Sequence, residues 1–135
     1  MDSGHMTDLS RYRLERAREM LRDAEENLSA GHFATSLNRS YYAVFHAMRA
    51  ANSLYSFDSK KHSGVISFFN KTFLKAGLIG NSKEMSKIIG DTQLYRERSD
   101  YQDFFLANKA DAERQLENAK RFVAAVAEFL TEYIA

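Results

Sequence analysis

Apolar residues recur at helical spacing along the whole chain, and short polar segments separate the apolar stretches. The pattern predicts helices over residues 7–30, 33–55, 64–75, 83–97 and 108–133. The sequence shows no strand-like alternation, and no proline interrupts the predicted helices. We therefore expect an all-α fold, an antiparallel bundle of four to five helices of which three are long.

The second predicted helix has three faces instead of two, which suits the centre of a bundle. Its apolar face consists of Leu37, Tyr41, Val44, Phe45 and Met48. Its small-residue face consists of Ser36, Ser40, Ala43, Ala47 and Ala50. Its polar face, here called the polar row, consists of Arg39, Tyr42, His46 and Arg49. With two faces packed against neighbouring helices, the polar row is the first candidate for a functional surface.

Local signals place the ends of the later helices. Ser63 and Ser82 are predicted N-caps of the third and fourth helices, and Asn108 begins a capping-box variant before the last helix. Gly90 weakens the middle of the fourth helix by about 1 kcal/mol relative to alanine, so a break can form there. The predicted buried set of the fourth helix is Met85, Ile88, Ile89, Leu94 and Tyr95.

Composition narrows the classes of function. The length of 135 residues fits one domain over residues 7–135, after a start at residues 1–6 that resembles a cloning remnant. The chain has no cysteine, which suits a cytoplasmic protein and excludes a disulfide or a cysteine nucleophile. No apolar run approaches the roughly 20 residues that span a membrane. The net charge of +1 is smaller than the basic excess that a large nucleic-acid-binding surface normally has. Any nucleic-acid contact is therefore limited to a local basic patch.

Three segments together resemble the HEPN domain family (higher eukaryote and prokaryote nucleotide-binding), and more narrowly its small stand-alone prokaryotic members. The segments are NRSYYAVFHAMRA at 38–50, KHSGVI at 61–66, and Arg98-x-Asp100-Tyr101. The resemblance covers about residues 10 to 132. It implies a helical bundle that is usually a homodimer.

The resemblance also implies a set of activities. Many relatives are metal-independent endoribonucleases that carry an arginine and a histidine separated by four to six residues. Such proteins often act as toxins paired with a minimal nucleotidyltransferase antitoxin. In some relatives the partner adenylylates a tyrosine close after the motif, a position that Tyr101 matches only loosely. In this chain Arg98 matches the arginine, but Asp103 and two phenylalanines stand where the histidine belongs.

Metal-free cleavage of RNA needs a base, a cation and an acid, and histidine and arginine suit these roles. The candidate catalytic residues are Arg98 and His46. The candidate phosphate ligands are Arg39, Tyr42, Lys61, His62, Asp100 and Tyr101. We expect Arg98 to fold back beside Arg39 and His46. The alternative is that His46 and Tyr42 are satisfied polar groups of the core and that Arg98 pairs with an acid such as Asp100.

A second candidate site lies before the third helix. Lys60, Lys61 and His62 precede the predicted helix start, where lysines and free backbone N–H groups suit an anion. A solvated loop is the alternative. No metal site is expected because the histidines lack ligand spacing, and no cofactor is expected because glycine-rich nucleotide motifs are absent.

Three functions follow. The first is a module that dimerises, pairs with a nucleotidyltransferase, or binds a nucleotide or RNA phosphate. The second is an endoribonuclease toxin that uses His46 with Arg98 in an altered arrangement. The third is a structural scaffold whose polar row only sets the helix register. The missing motif histidine favours the first.

Overall fold

A computed structural model describes the backbone of residues 3–134 and the side chains of residues 8–132. The helices are α1 Ser3–Ser29, α2 Phe33–Asn52, α3 His62–Phe69, α4 Ser82–Tyr101 and α5 Lys109–Ile134. A 3-10 turn, Ser53–Tyr55, continues α2, and a π-helical turn, Asn70–Lys75, continues α3. No strand occurs in residues 3–134, so the all-α prediction is confirmed.

Helix ends differ from the prediction by a few residues. Helix α1 begins at Ser3 instead of residue 7, and Met1 and Asp2 of the suspected cloning remnant lie outside the described residues. Helix α4 passes through Gly90 without a break and runs to Tyr101, four residues past the predicted end. Residues on both sides of Gly90 are buried, Ile88 and Ile89 before it and Thr92 after it, and this packing outweighs the low helix propensity of glycine.

Two of the three predicted caps are wrong. Lys61, not Ser63, precedes α3, and Asn81, not Ser82, precedes α4. The predicted cap at Asn108 is confirmed, because its Oδ1 accepts a 2.8 Å hydrogen bond from the backbone N–H of Asp111.

Helix α2 is central, as its three faces predict, and packs against α1, α3, α4 and α5. Its small-residue face is fully buried, and Ser36 donates a 2.8 Å hydrogen bond to the carbonyl oxygen of Ala24 in α1. Small side chains allow this close approach of the two backbones.

The apolar stripes of all the helices meet in one core. The rings of Phe69 and Phe122 lie 5.5 Å apart and join α3 to α5. A fully buried phenylalanine contributes about 1.5–3 kcal/mol to the free energy of unfolding. Leu94, predicted to be buried, is 42% exposed, and the buried stripe of α4 follows Met85, Ile88, Ile89 and Thr92 instead.

Each helix within residues 3–134 is too short or too polar to traverse a lipid bilayer.

Candidate functional site

The packing of α2 against α4 and α3 gathers polar and aromatic side chains at one end of the bundle. We call this group the Arg96 cluster. Its members are Asn38, Tyr41 and Tyr42 of α2, His62 at the start of α3, and Arg96, Asp100 and Tyr101 in the last turns of α4.

The guanidinium of Arg96 organises the cluster. Its Nε donates to Asp100 Oδ2 at 3.0 Å, across one turn of α4. Its Nη2 donates to the hydroxyl oxygen of Tyr42 at 3.1 Å and to that of Tyr101 at 3.2 Å. The guanidinium carbon also lies 5.3–5.4 Å from the ring centroids of Tyr41, Tyr42 and Tyr101. These contacts hold the charge in one place.

Arg96 is charged although its side chain is only 16% exposed. Burial acts against the charged form, but the oxygens of Tyr42, Tyr101 and Asp100 outweigh it and raise the pKa of Arg96. Two of these three partners are tyrosine hydroxyl groups, and the third is a single carboxylate that balances the single guanidinium.

Tyr41 holds the histidine of the cluster. Its hydroxyl lies 2.8 Å from His62 Nδ1, and burial raises the pKa of the fully buried Tyr41, which keeps the hydroxyl protonated. A protonated hydroxyl can donate to Nδ1 or accept from an Nδ1–H, so this contact fits both tautomers of neutral His62; when Tyr41 donates, the ring proton sits on Nε2. Burial, with the charges of Arg96 and Arg49, lowers the pKa of His62, which favours this neutral form. Phe45 stacks on the imidazole with ring centroids 4.1 Å apart.

Asp100 links the cluster to the polar row. Its Oδ2 accepts a 3.0 Å hydrogen bond from Asn38 Nδ2, in addition to the bond from Arg96. Arg39 donates to Asn38 Oδ1 at 2.5 Å and pairs with Asp23 of α1 at 2.7 Å. Arg39 therefore contacts the cluster only through Asn38, and the carboxylate of Asp23 in α1 balances its charge.

The structure brings together Tyr42, His62, Asp100 and Tyr101 of the predicted site residues. It does not bring Arg98 to His46: the Arg98 guanidinium lies 5.7 Å from the ring centroid of Tyr95. The predicted hollow of Arg98, Arg39 and His46 is therefore not formed, because Arg98 follows a different face of α4.

His46 borders the cluster: its ring centroid lies 6.2 Å from that of Tyr42 and 5.9 Å from that of Phe45. Burial, with the charges of Arg16, Arg49 and Arg13, lowers the pKa of His46 to about 4. Its Nδ1 is buried and has no hydrogen-bond partner among the described residues. Of the polar row, Tyr42 faces the Arg96 cluster, whereas His46 faces these arginines.

The lysine loop before α3 provides only part of the predicted anion site. Lys61 is exposed, and its backbone N–H donates to the hydroxyl of Ser59 at 3.2 Å. Lys60 is exposed as well. Of this loop, His62 is the residue that enters the cluster. Over the described residues, no group of three or more histidine, aspartate or glutamate side chains could hold a metal ion.

Sequence reasoning missed Arg96, although a signal for it exists. The buried positions Met85, Ile88, Ile89 and Thr92 continue at helical spacing to residue 96. Position 98 lies off this stripe. Four residues also separate Arg96 from Tyr101, which is within the four to six that separate the arginine and the histidine of the resembled motif.

Comparison with known proteins identifies the family of this chain. The sequence profile of the HEPN domain matches residues 10–129. The chain belongs to the HEPN family. The UPF0332 protein of Thermotoga maritima is 29% identical to this HEPN chain over 90% of both chains. The UPF0332 protein glr0978 of Gloeobacter violaceus is 30% identical over 88% of this chain and 94% of the relative.

A further relative carries a functional name. The protein named "Putative toxin MJ0142" of Methanocaldococcus jannaschii is 26% identical over 87% of this HEPN chain and 78% of the relative. The crystal structure of TT1696 from Thermus thermophilus superposes with a TM-score of 0.74. That structure is 21% identical and covers 89% of this chain and 97% of its own, so it supports the fold alone.

Proposed function

We propose that this HEPN chain is a toxin-type module that binds a phosphate of RNA or of a nucleotide at the Arg96 cluster. Family membership and a relative named as a toxin support the class of function. A dimer of this chain and a nucleotidyltransferase partner belong to the same proposal. The function does not require a metal or a cofactor.

Two unoccupied donors carry the proposal. The hydrogen bonds of Arg96 use Nε and Nη2, so among the described residues no partner takes Nη1. The tautomer of His62 in which Nδ1 accepts from Tyr41 likewise leaves its Nε2–H without a partner within the described part of the chain. Arginine donates to phosphate oxygens in a fixed fork, and a neutral imidazole N–H adds a second donor.

The tautomer of His62 separates binding from base catalysis. When Nδ1 accepts from Tyr41, Nε2 holds a proton and cannot take another from a ribose hydroxyl; when Nδ1–H donates to Tyr41, Nε2 is free to accept one. The binding function uses the first tautomer, in which His62 donates a hydrogen bond to a phosphate oxygen.

An RNA-binding titration with matched arginine variants tests the proposal. Fluorescence anisotropy of a labelled single-stranded RNA dodecamer is followed in chelator for the wild-type chain, Arg96→Gln and Arg98→Gln. We expect Arg96→Gln to weaken binding about 10-fold or more, since a charged hydrogen bond is worth about 1.5–3 kcal/mol. We expect Arg98→Gln, with the same charge change on the same helix, to change affinity less than about 2-fold, because Arg98 lies over Tyr95 and makes none of the cluster's hydrogen bonds.

The outcomes are distinct. Equal loss in both variants would indicate general charge attraction and contradict the proposal. If the folded wild-type chain binds neither RNA nor a mononucleotide, the proposal is contradicted and the structural scaffold is the better explanation. Arg96→Lys keeps the charge and tests the fork geometry if Arg96→Gln fails to fold.

An endoribonuclease is the second candidate, because a histidine lies in the same cluster as an arginine. His62 and Arg96 both contact Tyr41, so the cluster holds a histidine although the motif lacks one. Cleavage of a structured RNA in chelator is compared for wild type, His62→Gln and His46→Gln. Activity that His62→Gln abolishes and His46→Gln retains supports an enzyme. Equally weak RNA cleavage in all three samples would indicate a contaminating nuclease and contradict the enzyme function.

Tyr101 is the proposed target of the nucleotidyltransferase partner. Its side chain is 69% exposed, and its hydroxyl touches Arg96. Attack of the hydroxyl oxygen on the α-phosphorus of ATP would form a phosphodiester, release pyrophosphate and pass the phenolic proton to solvent. Modification would place a phosphodiester anion beside Arg96, which would occupy the donors that the cluster offers to a ligand.

Mass spectrometry after co-expression with the product of an adjacent nucleotidyltransferase reading frame tests this role. We expect AMP on the peptide with Tyr101 and none on that with Tyr12, which is 65% exposed and serves as an internal control. AMP on both tyrosines, or on neither, would contradict a specific role for Tyr101.

A further inference from the structure

A cavity with an unbalanced positive charge lies at the opposite end of α4 from the Arg96 cluster. Its volume is about 720 Å³, and it opens between α3 with its π-helical turn and the first turns of α4. It is lined by Ser67, Asn70, Lys71, Leu74, Lys75, Ser82, Lys83 and Ser86. Ser82 lies about 21 Å from Arg96 along the helix axis at 1.5 Å per residue, so the two sites are separate.

Three lysines and no acidic residue line this cavity. Within the part of the chain that the structure describes, none of Lys71, Lys75 and Lys83 forms an ion pair. The nearby Glu84 is paired with Arg121 instead, at 3.3 Å. The whole chain carries a net charge of only +1, so this concentration of unpaired lysines is a local feature.

The remaining lining groups suit a polar ligand. Three serine hydroxyls can each donate a hydrogen bond, and Leu74 is the one apolar side chain in the lining. The first turn of α4 adds backbone donors, because the side chain of the preceding Asn81 forms no capping hydrogen bond. The volume falls in the range of small-molecule sites.

We propose that this cavity binds a small, multiply charged phosphate ligand, with Lys71, Lys75 and Lys83 as its counter-charges. Lysine ammonium groups bind phosphate as mobile point charges, which suits a ligand with several phosphate groups. The inference is independent of the function proposed for the Arg96 cluster.

Calorimetric titration with inorganic triphosphate at low ionic strength tests the inference. The wild-type chain is compared with the double variant Lys71→Gln/Lys83→Gln. The control is Lys87→Gln/Lys109→Gln, which loses the same charge from exposed lysines that pair with Asp91 and Glu113. We expect the cavity variant to lose at least about 10-fold in affinity and the control less than about 2-fold. All the substituted lysines are exposed, so the variants should fold.

Arg96→Gln separates this site from the Arg96 cluster. We expect Arg96→Gln to bind triphosphate at the cavity with unchanged affinity. Loss of all binding in Arg96→Gln, with binding retained in the cavity variant, would overturn the inference.

Three other results would overturn it as well. They are equal losses in the cavity and control variants, no binding by wild type at millimolar triphosphate, and loss of RNA dodecamer affinity in the cavity variant without any triphosphate binding. The last result would assign the lysines to an RNA surface.

Discussion

His62 and His46 both lie against the rings of Tyr42 and Phe45, but the arginines near each histidine are held by different groups. Around His46, Arg13 and Arg49 both pair with Asp58, and Arg16 pairs with Glu19. Beside His62, Arg96 is held by two tyrosine hydroxyls and a single carboxylate. The arginines of the His46 region therefore stabilise the fold, whereas in the His62 region Arg96 Nη1 has no partner among the described residues and can donate to a ligand.

The comparison shows why a histidine and arginines in sequence proximity do not define a site. The polar row places His46 beside Arg49 on one helix. The loop residue Asp58, however, forms ion pairs with both Arg49 and Arg13. What distinguishes the two regions is the kind of group that holds the arginines: carboxylates around His46, and two tyrosine hydroxyls beside one carboxylate around Arg96. Helical spacing does not reveal this difference.

Removing an arginine from the His46 region should give the largest effect on stability. Arg13 is 11% exposed and donates to Ser53 Oγ at 2.6 Å and to Asp58 at 3.1 Å. We expect Arg13→Gln to lower the free energy of unfolding by about 1–3 kcal/mol, because it loses charged hydrogen bonds in a poorly solvated position. Urea denaturation measures this change.

RNA binding supplies the control for Arg13→Gln. We expect its dodecamer affinity to stay within about 2-fold of wild type, since Arg13 bonds to Ser53 and Asp58 instead of the Arg96 cluster and salt screens its charge at a distance. A loss of RNA affinity as large as that of Arg96→Gln would show that the two regions are one site.

Acid should weaken the fold through His46. The unfolded chain takes up a proton on this imidazole near pH 6.5, but the folded chain does so only near pH 4. Between these values the unfolded state binds more protons, so the free energy of unfolding falls as pH falls and levels off below about 4. The urea midpoint at pH 5 should therefore be lower than at pH 7.

His46→Gln tests the assignment of this pH dependence. The variant should show a smaller difference between the urea midpoints at pH 5 and pH 7. An unchanged difference would mean that other groups, such as His62, account for the loss of stability.

The charge of Arg96 should have a smaller effect, confined to the other histidine. Burial lowers the pKa of His62, and the charge of Arg96 lowers it further. In Arg96→Gln we expect the pKa of His62 to rise toward its ordinary value and that of His46 to stay unchanged, since Arg96 is not among the charges acting on His46. Histidine ring resonances followed against pH measure both values. A shift of the His46 pKa would contradict the separation of the regions.

Much of the fold could be predicted from the sequence because helix formation depends on local spacing. The three faces of α2 predicted its central position, and the buried stripes of α1 and α5 followed their apolar residues. The end of α4 could not be predicted as well. Residues 98–101 are polar, and their helical state depends on contacts with α2, such as the bond from Asn38 to Asp100.

The candidate site could be predicted only in part. Tyr42, His62, Asp100 and Tyr101 were identified by residue type and resemblance, and they do meet. Arg96 and Arg98 are chemically equivalent in the sequence, and only the face of α4 that packs on α2 distinguishes them. The role of Tyr41 was hidden because a fully buried tyrosine at an apolar position looks like a core residue.

Two-dimensional NMR of the histidine rings, recorded while the RNA dodecamer is added in chelator, tests the central claim most directly. His62→Gln and His46→Gln assign the two sets of resonances. We predict that the His62 ring signals shift with RNA and saturate, while the His46 signals stay in place. Movement of the His46 signals with stationary His62 signals would contradict the account and return the binding centre to the polar row.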